Sequence, residues 1–149
     1  MLIQTLQTLF DRDLKRLKAE IQQYNNEEKI WYFEKNITNS AGNLCLHLIG
    51  NLNTYIGAQL GQTTYIRNRD LEFSAKNIPR TELLSKIEET IHVVKETLEK
   101  LSEHELEMEY PIVVFDKKTS TEYLLVHLTT HLTYHLGQIN YHRRLLDVG

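Results

Sequence analysis

Cysteine is nearly absent from this chain: Cys45 is the one example among 149 residues. An internal disulfide framework and a cysteine-rich zinc knuckle are therefore excluded. Cys45 lies in an apolar run and reads as a small buried side chain, not as a nucleophile. Long hydrophobic runs are missing as well. No stretch approaches about 18 uninterrupted apolar residues, so no membrane-spanning helix is expected. The start of the chain, Met1-Leu2-Ile3-Gln4-Thr5-Leu6, reaches Asp11-Arg12-Asp13 without a basic segment followed by an apolar one. No signal peptide is expected, and the cytoplasm is the default compartment. Excess positive charge is lacking too: with a formal net charge of -3 and no basic stripe, nothing calls for nucleic acid as a partner. Repeats, low-complexity segments and internal linkers are not found. What remains is an ordinary globular composition, 41% apolar and 25% charged, on a length that fits one domain over residues 1–149.

Four segments carry helical periodicity. The first runs from about Leu2 to Tyr24, with Leu2, Leu6, Leu9, Phe10, Leu14, Leu17 and Ile21 recurring at three and four. Asn25-Asn26 ends it. A connector from Glu27 to Asn39 holds Trp31-Tyr32-Phe33, three aromatics expected to pack over one end of the core. The second helix starts after Asn39 or Ser40, either of which can cap it, and Gly61 suggests its stop. Leu44, His47, Leu48, Asn51, Leu52, Tyr55 and Ile56 share one face, so His47 points inward. Gln62 to Arg80 reads as a long polar loop, with Arg67-Asn68-Arg69-Asp70 solvated or locally paired. The third helix spans about Thr81 to Leu101, with Leu84, Ile87, Ile91, Val94 and Leu98 as its period and His92 exposed. Tyr110 to Phe115 reads as extended, since Pro111 bars a helix there. Thr119-Ser120-Thr121-Glu122 has the spacing of a capping box, and the fourth helix runs from it to about Leu146. Four amphipathic helices around one core predict an all-α four-helix bundle with long connecting loops.

The chemistry concentrates on the fourth helix. Three of the chain's 7 histidines, His127, His131 and His135, sit four residues apart. On a wheel at 100° per residue with His127 as zero, His131 falls at roughly 40°, His142 at roughly 60° and His135 at roughly 80°. Leu124 and Leu128 lie at roughly 60° and 100°, so the histidines border the apolar face. One ion cannot take all three of the run. His127 and His135 are about 12 Å apart along the axis, whereas metal–nitrogen bonds are about 2 Å. The chelating pair is either His127 with His131 or His131 with His135. A third ligand must come from another helix, and inward-facing His47 is the natural donor. Three histidines leave an open position for water or substrate.

Taken alone, His47 is more often a hydrogen-bonded core residue than a ligand. The i, i+4 pair on a core edge tips the balance towards metal. A zincin protease site is excluded because Leu132 stands where His-Glu-x-x-His requires glutamate. A di-iron bundle would need Glu-x-x-His pairs and inward carboxylates on several helices. The candidate site is nitrogen-rich and mononuclear, suited to one divalent transition metal: zinc or nickel foremost, with iron, manganese or copper as alternatives.

His47 on the second helix, followed near the C-terminus by His131-Leu132-Thr133-Tyr134-His135-Leu136-Gly137-Gln138, resembles the DinB/YfiT-like metalloenzyme family. Segment order and length are similar over nearly the whole chain. The resemblance implies a left-handed four-helix bundle, often a homodimer, with a divalent metal held by His47, His131 and His135. His127 then becomes a neighbour of the site. Many members carry arginine just before the Gly-Gln, where this chain has Leu136. Some relatives are S-transferases acting with low-molecular-weight thiols such as bacillithiol, and others are mycothiol-dependent isomerases.

The resulting expectation is a metal-dependent S-transferase, or a hydrolase-like enzyme, acting on a small molecule and possessing a tri-histidine site. Gln138, one turn past His135, is placed to orient a ligand at the open position or to serve packing. The rival expectation is a non-catalytic, metal-containing dimeric bundle with a stress-response or partner-binding role. The plain alternative is a bundle whose histidines are satisfied by hydrogen bonds alone.

Overall fold

The computed structural model describes residues 1–148. Among these residues six α-helices form: α1 (Leu2–Gln23), α2 (Ala41–Leu52), α3 (Arg69–Ser74), α4 (Arg80–Lys100), α5 (Glu103–Glu107) and α6 (Thr121–Leu146). A 3-10 turn, Glu27–Trp31, precedes α2, and a π-helical segment, Asn53–Ala58, extends it. Among the described residues no strand forms; Glu109 and Ser120 make one isolated bridge. The chain is thus an all-α bundle, as its periodicity predicts.

The four long helices pack in a ring. α1 and α2 each lie against both α4 and α6, so α1 faces α2 across one diagonal and α4 faces α6 across the other. This explains the long connectors: the α1–α2 and α4–α6 links must cross the bundle end instead of turning back on a neighbour. Leu6, Phe10, Leu14, Leu17 and Ile21 of α1 meet Leu44, Leu48, Leu52, Leu83, Ile87, Val94 and Leu98 in one core. Each such leucine, fully buried, contributes about 1.5–3 kcal/mol. On α4 the inward stripe is Leu83, Ile87, Thr90, Val94, Thr97 and Leu98; Leu84 and Ile91 are only partly buried at its edge.

Polar side chains fix the ends. Ser40 Oγ accepts from the Asn43 backbone N–H (3.1 Å) and caps α2. Arg80 donates to the carbonyls of Ile21, Gln22 and Tyr24, closing the C-terminus of α1. The cap of α6 is Ser120, whose Oγ accepts from Tyr123 N–H at 3.0 Å, one residue later than the Thr119–Glu122 spacing suggests. Extended pairing in the 110–115 segment is confined to Tyr110, whose N–H donates to Thr119 O (2.8 Å).

Of the aromatic trio only Trp31 is buried; Tyr32 and Phe33 are half exposed. Trp31 lies flat over Gly42, where a Cβ would meet three ring atoms at 2.6–2.7 Å. Gly42→Ala is therefore expected to destabilise the protein by roughly 1–3 kcal/mol, the usual penalty for overpacking. Urea unfolding would register it as a lower midpoint at unchanged slope. Equal midpoints would show that the indole is free to move aside.

Candidate metal centre

α6 carries its histidines beside a leucine stripe. Leu124, Leu128, Leu132, Leu136 and Ile139 are buried and seat the helix on the bundle. His127, His131 and His135, on the edge of that stripe, are left half-buried. Facing them is α2, every residue of which is buried, His47 included.

One ligand nitrogen each from His47, His131 and His135 lie within 4.8 Å of one another. His47 Nε2 stands 3.2 Å from His131 Nε2. The ring centroids of His135 are 5.3 Å from those of His47 and 4.6 Å from those of His131. His127 is outside the cluster. It stacks on His131 at 6.3 Å and meets Phe115 edge-on at 4.8 Å. The outermost histidine of the stripe, His142, is also apart: Tyr24 Oη donates to its Nδ1 (2.7 Å), and its Nε2–H donates to Tyr32 O (2.9 Å). Of the two pairs that helical spacing allows, the one that faces His47 is His131 with His135.

The other face of each ring tests whether the cluster suits a metal. His47 Nδ1 is 3.1 Å from Glu72 Oε1, and His135 Nδ1 is 2.8 Å from Gln138 Oε1. Both oxygens accept, so both Nδ1 atoms carry the proton and both Nε2 lone pairs point into the cluster. The separation of His47 and His131 suits two ligands of one ion, since bonds of about 2.05 Å at a tetrahedral angle put nitrogens roughly 3.3 Å apart. Without an ion, His131 Nε2 must give its proton to His47, which leaves His131 Nδ1 an acceptor. That atom is buried with no partner. His131 Nδ1 is thus unpartnered with or without an ion, so the fit to a cation rests on the nitrogen spacing and on the rings that Glu72 and Gln138 hold by their Nδ1 sides.

Sequence reasoning missed two residues of the site. The segment from Gln62 to Arg80 is not wholly loop. Asn68 caps the short helix α3, with Oδ1 accepting from Leu71 N–H (3.2 Å). Asn43 on α2 donates to the carbonyls of Glu72 (2.9 Å) and Ala75 (2.8 Å), clamping α3 onto α2. The clamp delivers Glu72, buried despite its charge, to the back of His47. Gly50 makes the room, because a Cβ there would overlap the Glu72 carboxylate. Arg67 completes the arrangement, donating to Glu72 through Nε (2.8 Å) and Nη2 (3.0 Å). It is the locally paired member of the 67–70 run. The one available signal was Asn68 followed by Leu71-Glu72, a capped turn too short to show periodicity. Gln138, placed by its spacing either to orient a ligand or to serve packing, holds the His135 ring through Oε1.

Electrostatics match this reading. Burial on its own would push the Glu72 carboxyl up, but hydrogen bonds from His47 and Arg67 outweigh it and hold the group below the ordinary range. Burial, then the neighbouring His135, His47 and His127, lowers His131 to about 4. Burial also lowers His135 and His142. The thiol of Cys45, fully buried, is pushed up to about 12 and is inert at neutral pH.

These shifts set a pH dependence for the chelator-treated protein. Below about pH 6.5 the unfolded chain binds protons on histidine. The folded chain refuses one on His131 until about pH 4, and burial likewise resists one on His142. The unfolded state then holds more protons, so stability rises with pH across that window and falls as acid is added. Glu72 extends the loss lower, its contribution present above the ordinary carboxyl value and lost as pH drops through its depressed one. Urea midpoints should decline steadily from pH 7 to pH 4.5; a flat profile there would contradict the burial of these rings.

An all-helical bundle with three imidazoles converging between two long helices is the class defined by fold and site. The chain belongs to the family described as protein of unknown function (DUF1572), which matches residues 2–148 and is DinB-like. It is similar in fold to a crystal structure of a conserved protein from Enterococcus faecalis, with a TM-score of 0.75 at 16% identity. That match covers 96% of this chain and 95% of the other. No curated protein matches the chain. Among the described residues no helix is long and apolar enough to cross a membrane.

Proposed function

We propose that His47, His131 and His135 hold one divalent transition metal and that the protein is a metal-dependent transferase using a low-molecular-weight thiol. The observation that carries this reading is the convergence of three imidazoles, two of them held by Glu72 and Gln138 in the tautomer that presents Nε2. Three neutral ligands, with Glu72 and Arg67 cancelling each other's charge, leave the ion's positive charge unneutralised. When bound, such an ion supplies Lewis acidity and lowers the pKa of a thiol. The chain's own residues do the holding: Glu72 fixes the His47 ring, Gln138 fixes the His135 ring, and the leucines of α6 exclude water from the inner side. The reaction is RSH + R′–X → RS–R′ + HX. The S–C bond forms, the C–X bond breaks, and the thiol proton leaves with X.

The test has two stages. Gently purified protein should contain about one equivalent of transition metal by mass spectrometry; none would sink the site. Metal-loaded protein should then accelerate conjugation of 1-chloro-2,4-dinitrobenzene with at least one of a panel of small thiols, and His135→Ala should not. A hydrolytic activity without thiol dependence would replace the transferase by the hydrolase-like reading.

A second reading rests on a separate observation. Ile112, Val113 and Phe115 in the α5–α6 connector and Tyr123 and Val126 in the first half of α6 are exposed, with Phe115 edge-on to Tyr123. This surface fits a second copy of the chain, giving a metal-containing dimer whose work is assembly. Sedimentation that shows a dimer broken by Val126→Glu, with no turnover in any thiol assay, would favour it. A monomer at high concentration would remove it.

A further inference from the structure

A cavity of about 420 Å³ opens beside His135, bounded by α2, α6 and the connector that precedes α2. It shares His135 with the histidine cluster and also touches Gln138, which holds that ring, while His47 and His131 do not line it; Leu44, one helical turn before His47, does. A cavity of equal size lies between α1 and α4, but it is lined by Asp11, Lys15, Lys95 and Glu99 and touches none of the histidines. The one beside His135 differs in chemistry. Its lining contains no aspartate, glutamate, lysine or arginine. Leu44 and Leu145 supply apolar surface, Tyr134 and Tyr141 supply aromatic rings, and Asn39 and Gln138 supply neutral hydrogen-bonding groups.

From this lining we infer that the cavity is the binding site for the second substrate, and that this substrate is an uncharged, ring-bearing small molecule with amide or hydroxyl groups. The inference rests on the metal reading only for the word substrate; the cavity and its neutrality stand without it. Tyr134 and Tyr141 are seven residues apart, about 10 Å along the helix, which leaves room for a ring between their side chains. Sites of this volume take small organic ligands, with apolar and aromatic walls giving affinity and a few polar groups giving orientation. The lining itself offers an ionic ligand no counter-charge, while its apolar and aromatic side chains give a neutral ring contact area. Arg67 is not part of the lining, and its Nε and Nη2 are engaged by Glu72. Arg144 rests over the outer ring of Tyr141, 5.3 Å from its centroid, and is not part of the lining.

The test compares three probes of one size: N-methylbenzamide, benzoate and benzylamine. Each is titrated into nitrogen-15-labelled protein, metal-loaded and metal-free. The amide should shift the backbone signals of Leu44, Gln138 and Leu145 in both forms; in the metal-free form, where no ion can draw a carboxylate, benzoate and benzylamine should bind at least tenfold weaker. Leu145→Lys, on an exposed side chain, should narrow the gap between benzoate and the amide. With Co²⁺ in the site, the bound amide's protons should broaden. Equal binding of benzoate and the amide to the metal-free protein would overturn the neutrality of the site. No amide binding in either form would overturn the site itself. Amide binding without Co²⁺ broadening in a loaded sample would remove its link to the reaction. Should the protein hold no metal at all, the metal-free titration still decides the cavity, so the two failures are separable.

Discussion

Replacing His131 with alanine is expected to abolish metal binding and the rise in melting temperature that metal confers. A ligand that binds only the folded state stabilises it by about 4.1 kcal/mol at a thousand times its dissociation constant. For a chain of this size each kcal/mol moves the midpoint by roughly 2–4 °C, so saturating Zn²⁺ or Ni²⁺ should raise it by about 8–16 °C. His131 is the residue to remove because it is central. Its Nε2 is 3.2 Å from that of His47, and its ring is 4.6 Å from that of His135. Its loss breaks both contacts and leaves two histidines that no longer adjoin a common third. The metal-free protein should lose about 1–3 kcal/mol, because the variant leaves His47 Nε2 without the proton that His131 gives it. His127→Ala is the control. That ring stacks on His131 but lies outside the converging set, so the metal-induced rise should persist. Differential scanning calorimetry with and without metal reads both variants. A native protein indifferent to metal, or an H131A variant that still gains the full rise, would refute the assignment.

Glu72→Ala should produce the second large effect, and on two separate quantities. The carboxylate is buried and serves His47 and Arg67 together. Removing one partner of a buried pair costs about 3–5 kcal/mol because the other charge is left unpaired. The Arg67 side chain retains 14% exposure, which places the loss nearer the low end, roughly 3 kcal/mol. Metal affinity should fall about 10- to 100-fold, the usual effect of losing the group that orients a ligating histidine. A second substitution separates the two. In Glu72→Ala with Arg67→Ala no charge is stranded, so much of the stability should return, while the affinity should stay low. Glu72→Gln keeps an oxygen acceptor for His47 and should keep more affinity than the alanine variant. Competition against a chromophoric chelator measures affinity, and urea unfolding measures stability. Unchanged affinity in Glu72→Ala would reduce the residue to a structural anchor.

How much of this was legible beforehand depends on the length scale of each signal. α1, α4 and α6 are 22, 21 and 26 residues long, and over such lengths the apolar period outweighs local noise. The caps were less secure. Ser120 and the Thr119–Glu122 spacing compete within one turn, and which hydroxyl meets the first free N–H depends on backbone geometry. α3 has only 6 residues, too few to show a period, so Glu72 passed for part of a polar loop. Trp31 shows the same limit from another side. Its neighbours Tyr32 and Phe33 are chemically similar, yet only Trp31 finds a glycine to lie against.

By itself the sequence determined the helical class, the inward face of α2 that carries His47, and the i, i+4 spacing that allows two chelating pairs on α6. Those follow from the 3.6-residue period, which is a local property of the backbone. Only the tertiary structure decided which pair faces His47, because that depends on the axial offset between α2 and α6, and helical spacing is blind to it. The same packing brought Glu72 and Arg67 to the back of His47 through the Asn43 clamp and the space at Gly50. A buried carboxylate needs partners from distant parts of the chain before its charge can be tolerated, and those partners meet only in the folded protein.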